Sequence, residues 1–235
     1  MAAMISAMQT QKLRELIRTV RACKTAADER AVISKECAAI RTSLKEGHES
    51  LRARNVAKLM YIHMLGYPTQ FGQMECINLI TSEKYAEKRV GYLGLMVLLD
   101  ERQEVITLIE NHLKKDLHDS NQYVQGLALC AIGNISSEDM SRGLSSEILG
   151  LLNSANPYIR KKAALCALRI VRKVATPDVV DMFLDFFSVN LLNERNHGVL
   201  VSSIALVVEG LQSKEGARHL PTYRKLVPAV VRMLK

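Results

Sequence analysis

The chain has 235 residues, with 32 Lys and Arg against 24 Asp and Glu for a net charge of +8. Its five cysteines (Cys23, Cys37, Cys76, Cys130, Cys166) are odd in number and widely spaced, with no C-x-x-C pair, which argues against a disulfide framework and for a reducing compartment. No apolar run approaches the length of a membrane span, and Met1 to Thr10 lacks the basic lead-in of a secretory signal.

Residues 1–12 read as a flexible extension, and the helical pattern begins at Leu13. Leu13, Leu16, Ile17 and Val20 form an i, i+3, i+4, i+7 stripe, while Arg14, Arg18 and Arg21 fall on another face. Such a segment is open to two readings, a solvated face or an anion-binding one. Its Arg-rich amphipathic character also resembles a mitochondrial presequence, but the pattern continues unbroken into the body of the chain. Residues 1–60 hold 12 basic and 6 acidic side chains, so most of the net charge sits in the first quarter. A one-sided field of this kind suits phosphate-bearing surfaces, acidic peptides or nucleic acid. After the loop Gly47-His48-Glu49-Ser50 a new helix opens with Arg52, Arg54 and Lys58. Positive charge there opposes the helix dipole, which points to an anionic partner.

From this helix onward the chain repeats itself. Apolar stripes run through Val56, Leu59, Met60, His63 and Met64; Val90, Leu93, Gly94, Val97 and Leu98; and Val124, Leu127, Ala128, Ala131 and Ile132. Two more run through Ile159, Ala163, Cys166, Ala167 and Ile170, and through Val199, Ser202, Ser203, Leu206 and Val207. Successive stripes start 34, 34, 35 and 40 residues apart. Second helices are predicted between them at 71–82, 102–115, 144–153 and 178–192. An all-helical chain with this period is a stack of helical hairpins. The expected fold is therefore an all-α, α–α superhelix, a HEAT- or armadillo-like solenoid of about five to six pairs over 13–235. Gly91, Gly94, Gly126, Ala163, Ala164 and Ala167 suit a layer where backbones approach closely. Gly66-Tyr67-Pro68 ends one helix, and Asn121 and Asn156 stand where N-caps belong. A final helix over 223–234 puts Leu226, Val230, Met233 and Leu234 on one stripe, with no polar capping repeat after it, so the stack is expected to continue or to be covered by a partner.

Nothing nominates a catalytic residue, a cofactor or a metal site. The six histidines are isolated, and His63, on its stripe, reads as a core or semi-buried histidine. Arg160, Lys161, Lys162, Arg169, Arg172 and Lys173 read as a solvated face or as ion pairs with the adjacent repeat. A nucleic-acid-binding repeat protein fits the net charge, but the basic residues do not recur once per repeat and aromatics for base stacking are sparse. A karyopherin-like scaffold is a further alternative.

Several longer segments carry more than periodicity: Leu13-Arg14-Glu15-Leu16-Ile17-Arg18, Arg54-Asn55-Val56-Ala57-Lys58-Leu59, His63-Met64-Leu65-Gly66-Tyr67-Pro68, Lys88-Arg89-Val90-Gly91-Tyr92-Leu93-Gly94, Gln125-Gly126-Leu127-Ala128-Leu129-Cys130 and Arg160-Lys161-Lys162-Ala163-Ala164-Leu165-Cys166. With them the chain resembles the N-terminal trunk of the large subunits of clathrin adaptor complexes, most of all the gamma branch. The resemblance implies a non-enzymatic, cytoplasmic scaffold for sigma, beta and mu adaptins. It implies recruitment by a GTP-bound Arf-type GTPase and a phosphoinositide membrane surface, and peripheral residence on the trans-Golgi network, endosomes and clathrin-coated vesicles. It assigns Arg52, Arg54 and Lys58 to the phosphoinositide, with Ala53 and Asn55 interrupting the run. It further assigns Arg21 to dileucine sorting signals on cargo tails, and Met74 and Ile77 to the GTPase. No nucleic acid is expected on this reading.

Overall fold

The computed structural model describes residues 11–99, 108–174 and 176–234, the side chain of Leu234 excepted. Among them there is no strand, and the chain forms two compact units, one within residues 1–100 and one within 101–235. The expected second helix at 102–115 lies partly outside the described residues, as does the N-terminal extension up to residue 10.

The first unit holds α1 (Leu13–Ala22), α2 (Ala26–Lys45), α3 (Glu49–Met64), α4 (Gln73–Ile80) and α5 (Tyr85–Leu98). Their ends are written in the local chemistry. Glu15 reaches back to accept the Lys12 amide at 2.9 Å, and Thr25 accepts the Asp28 amide at 3.1 Å, satisfying donors that the first turns of α1 and α2 leave open. At the other end of α3, Gly66 turns at φ 90°, so that its amide meets the His63 carbonyl and the Tyr67 amide meets that of Ile62. This paired closure needs a left-handed residue, and Pro68 then prevents the helix from resuming. Gly47 closes α2 the same way at φ 72°. α5 packs on both α3 and α4, and α1 on α2 and α3.

The second unit holds α6 (Glu110–Leu117), α7 (Gln122–Ile135), α8 (Glu138–Leu152), α9 (Pro157–Val174), α10 (Pro177–Asn190), α11 (His197–Gln212) and α12 (Leu220–Leu234). Asn121, Ser137 and Asn196 cap α7, α8 and α11 with their side chains. α9 packs against α7, α8 and α11, so the stripe-bearing helices form one layer and α6, α8 and α10 back it. Every stripe residue predicted for α9 and α11 is buried, and so are four of the five for α7.

In the first unit the stripes are displaced. On α3 the buried residues are Asn55, Val56, Lys58, Leu59 and Ile62, while His63 and Met64 are exposed. His63 is therefore a surface histidine, its Nδ1 3.0 Å from the Thr69 hydroxyl, and not a core one. On α5, Tyr92 and Leu95 enter the core and Leu93 faces out. α8 begins at Glu138, six residues before its predicted start, because the polar turn Ser136-Ser137-Glu138-Asp139 is itself the cap and first turn of the helix.

The small residues have the expected use at two positions. A methyl on Gly91 would stand 2.8 Å from the Ile80 amide nitrogen, and one on Gly94 would stand 2.8 Å from both the Cys76 sulfur and Val56. α5 thus lies against α4 with backbone in contact. Gly150, exposed on α8, has nothing within 4 Å of that point. Gly91→Ala is expected to lower stability by about 1–3 kcal/mol through overpacking. Gly150→Ala is expected to raise it by about 0.4–1 kcal/mol by restricting the unfolded chain. Denaturant unfolding of the two variants measures both signs.

Candidate functional site

The residues assigned to partners lie on α1, α3 and α4, and the rotation of α3 decides which of them can act. Lys58 points inward. It is 0% exposed and its Nζ lies 2.5 Å from Glu36 Oε1 on α2, itself buried. One turn earlier, Asn55 is also buried and donates to the Ser43 hydroxyl at 2.9 Å. Lys58 is thus a structural cation, and the expectation that it meets a lipid headgroup is corrected: it sits in the α2–α3 interface with its charge neutralised. Arg52 lies on the side of α3 toward α4. Its Nε is 2.8 Å from Glu75 Oε2, and Glu49 lies at 4.0 Å, leaving a side chain 25% exposed. These carboxylates, not an external anion, offset the positive charge at the start of α3. Arg54 alone of the three is exposed with no hydrogen bond or ion pair among the described residues.

On α4, Met74 is 51% exposed, whereas Ile77 is 8% exposed and belongs to the core. The expected direct contact through Ile77 is corrected accordingly: the α4–α5 packing buries it. The arrangement adds a link that the spacing alone does not reveal: Glu75, next to Met74 in sequence, is the residue that holds Arg52 and so ties the start of α3 to α4. Arg41, exposed on α2, lies over the Phe71 ring at 4.2 Å, just before α4. Arg21 is exposed near the end of α1, with Arg14 and Arg18 also exposed. The residues missed from sequence that decide which cations are available are the acids Glu36 and Glu75. Glu36 was legible in principle, since it falls among Ile33, Cys37 and Ile40 on the buried face of α2.

The later basic group is mostly engaged. Arg160 makes a forked pair with Glu194, Nε to Oε2 at 2.8 Å and Nη2 to Oε1 at 3.0 Å, and donates from Nη1 to the Ser154 and Ala155 carbonyls. Arg172 bonds Glu209 at 2.7 Å, and Lys173 bonds the Ser136 carbonyl. Burial opposes ionisation of Glu194, but the Arg160 guanidinium and the Asn196 amide outweigh it and hold the carboxyl below the usual range. The three buried cysteines are inert by comparison: burial raises the Cys76 thiol to about 12 and raises Cys37 and Cys166 as well. Among the described residues no group of His, Cys, Asp and Glu could hold a metal ion, and no helix is long and apolar enough to cross a membrane.

Stacked helical hairpins, all-helical among the described residues, define a repeat protein of the α–α superhelix class. The family model for the adaptin N terminal region matches residues 29–235, and the chain belongs to that family. It is 53% identical over 226 residues to the AP-1 complex subunit gamma of Dictyostelium discoideum, covering 96% of this chain and 25% of that protein. It is 58% identical over 198 residues to AP-1 complex subunit gamma-1 of Arabidopsis thaliana, covering 84% and 22%. The chain thus spans about a quarter of the length of these relatives. A chain in a homology model of the full-length AP-3 complex in an intermediate open conformation shares its fold, with TM-score 0.63 at 23% identity over 79% of this chain and 33% of that one.

Two outcomes test the site's electrostatics. Lys58→Met strands Glu36 without a counter-charge and is expected to cost about 3–5 kcal/mol, most of it recovered in Glu36→Leu/Lys58→Met, as read by chemical unfolding. For Glu194, a depressed folded pKa stabilises above the unfolded value of about 4.3 and is lost as pH falls through the folded one. Glu194→Gln is therefore expected to lower the unfolding midpoint at neutral pH and to flatten its decline under acid.

Proposed function

We propose that the chain acts as the N-terminal trunk of a gamma-type large subunit in a clathrin-associated adaptor complex, serving vesicle-mediated protein transport as a non-enzymatic scaffold. The observation that carries this reading is the match to AP-1 gamma subunits along nearly the whole chain. Its partners on this reading are sigma, beta and mu adaptins, an Arf-type GTPase, a phosphoinositide surface and dileucine cargo tails. Its place is cytoplasmic and peripheral, on trans-Golgi, endosomal and coated-vesicle membranes.

The geometry narrows the contacts proposed. Arg54 is the cation of its group free to meet a headgroup, Met74 is the apolar side chain offered to the GTPase, and exposed Arg21 is offered to the acidic residue of a sorting signal. A single Lys or Arg at an anionic membrane contributes about 1 kcal/mol. The lipid contact is therefore weak alone and is made useful by simultaneous GTPase and cargo contacts, which raise its effective concentration.

Liposome flotation of the complex assembled around this chain, with GTP-loaded Arf-type GTPase and phosphoinositide vesicles, tests the proposal. Arg54→Glu is expected to weaken lipid-dependent recruitment by about tenfold, and Met74→Glu to remove most of the GTP-dependent increment. Lys161→Glu on α9 serves as a control and is expected to change neither. Wild-type flotation by both Arg54→Glu and Met74→Glu would overturn the recruitment roles.

A further inference from the structure

The second unit contains a cavity of about 420 Å³ where the ends of α8 and α10 meet the starts of α9 and α11. Its volume falls within the roughly 300–1,000 Å³ range of ligand clefts. Leu152, Phe186, Leu191 and Val199 give it an apolar side, and Asn190 and Glu194 belong to its polar side. Ser203 also lines it, 1% exposed, and its buried hydroxyl has no hydrogen-bond partner. An unpaired buried hydroxyl is costly, and a ligand that completes it recovers that cost. Exposed Arg195 lines the same cavity with its guanidinium unengaged among the described residues. Arg160 is also at the wall, but Glu194 and two carbonyls occupy its donors.

We propose that this cavity is a docking pocket for a tyrosine-like side chain on a peptide segment of a partner protein, with a carboxylate on a neighbouring residue. The chemistry selects the occupant. The apolar side takes an aromatic ring. The Ser203 hydroxyl both donates and accepts, which a phenol matches. Arg195 rewards an acid beside the ring and disfavours a cationic anchor there, the Arg160 charge being already offset by Glu194. Aromatic anchors with polar tips, seated in such pockets, carry much of the energy at protein interfaces.

The test titrates the 235-residue chain with p-cresol and with toluene, followed by amide NMR and calorimetry. Saturable p-cresol binding is expected, with shifts at Phe186, Val199 and Ser203, and with toluene about tenfold weaker. Ser203→Ala is expected to abolish that preference while leaving the circular dichroism unchanged. Acetyl-Tyr-Glu-amide is expected to bind several-fold tighter than acetyl-Tyr-Gln-amide, and Arg195→Gln to equalise them. Equal binding of p-cresol and toluene, shifts located elsewhere, or no binding at millimolar ligand would each overturn the proposal. The wild-type comparison decides it even should Ser203→Ala fail to fold.

Discussion

The ion pair between Lys58 and Glu36 sets the surface of the first unit. A buried lysine must find its counter-charge or give up its proton, and here the carboxylate comes from the preceding helix. Once Lys58 is pinned inward, α3 has little rotational freedom. Asn55 follows it into the interface with Ser43, Arg54 turns to solvent, and Arg52 is delivered to Glu75 on α4. The division between structural and available cations on α3 is thus fixed by the core and not by a partner. Removal of Lys58 alone would strand Glu36 and disturb stability and surface together, so any test of recruitment is cleaner at Arg54 than at Lys58.

Backbone proximity is the second constraint. α5 can lie on α4 because Gly91 and Gly94 have no side chains, and this closeness buries Ile77 and Cys76 while leaving Met74 outside. The apolar surface of α4 is therefore narrower than its sequence implies. A short helix of eight residues, packed on one side by glycines, exposes only Met74 and the polar Asn78.

The second unit was largely legible from periodicity, since its core positions on α9 and α11 are occupied by Ala, Ile, Leu, Val, Cys and small Ser residues that match the helical stripe. The first unit was less so because Asn55, Lys58 and Glu36 occupy core positions, and a polarity pattern shifts such a helix by a residue. The same substitution of charge for hydrophobe made Lys58 resemble a surface ligand. Exposure of Arg54, Met74 and Arg21 required knowledge of which neighbour each helix meets, and no spacing within one helix contains that. The cavity with Ser203 at its wall was likewise invisible, because its lining comes from several elements and its serine read as an ordinary stripe residue.

Polar ties in the second unit have a regular reach. Asn156 bonds Gln122, Arg160 bonds Glu194, Arg172 bonds Glu209, and Tyr223 bonds the Leu184 carbonyl at 2.6 Å, spanning 34 to 39 residues each. Each of these four ties joins one helical pair to the next. In an array coupled only between neighbours, load is handed on one link at a time. Under tension such a unit yields as a series of short springs, each pair parting while its neighbours keep their internal packing, so the material property of the scaffold is graded compliance and not a single breaking point.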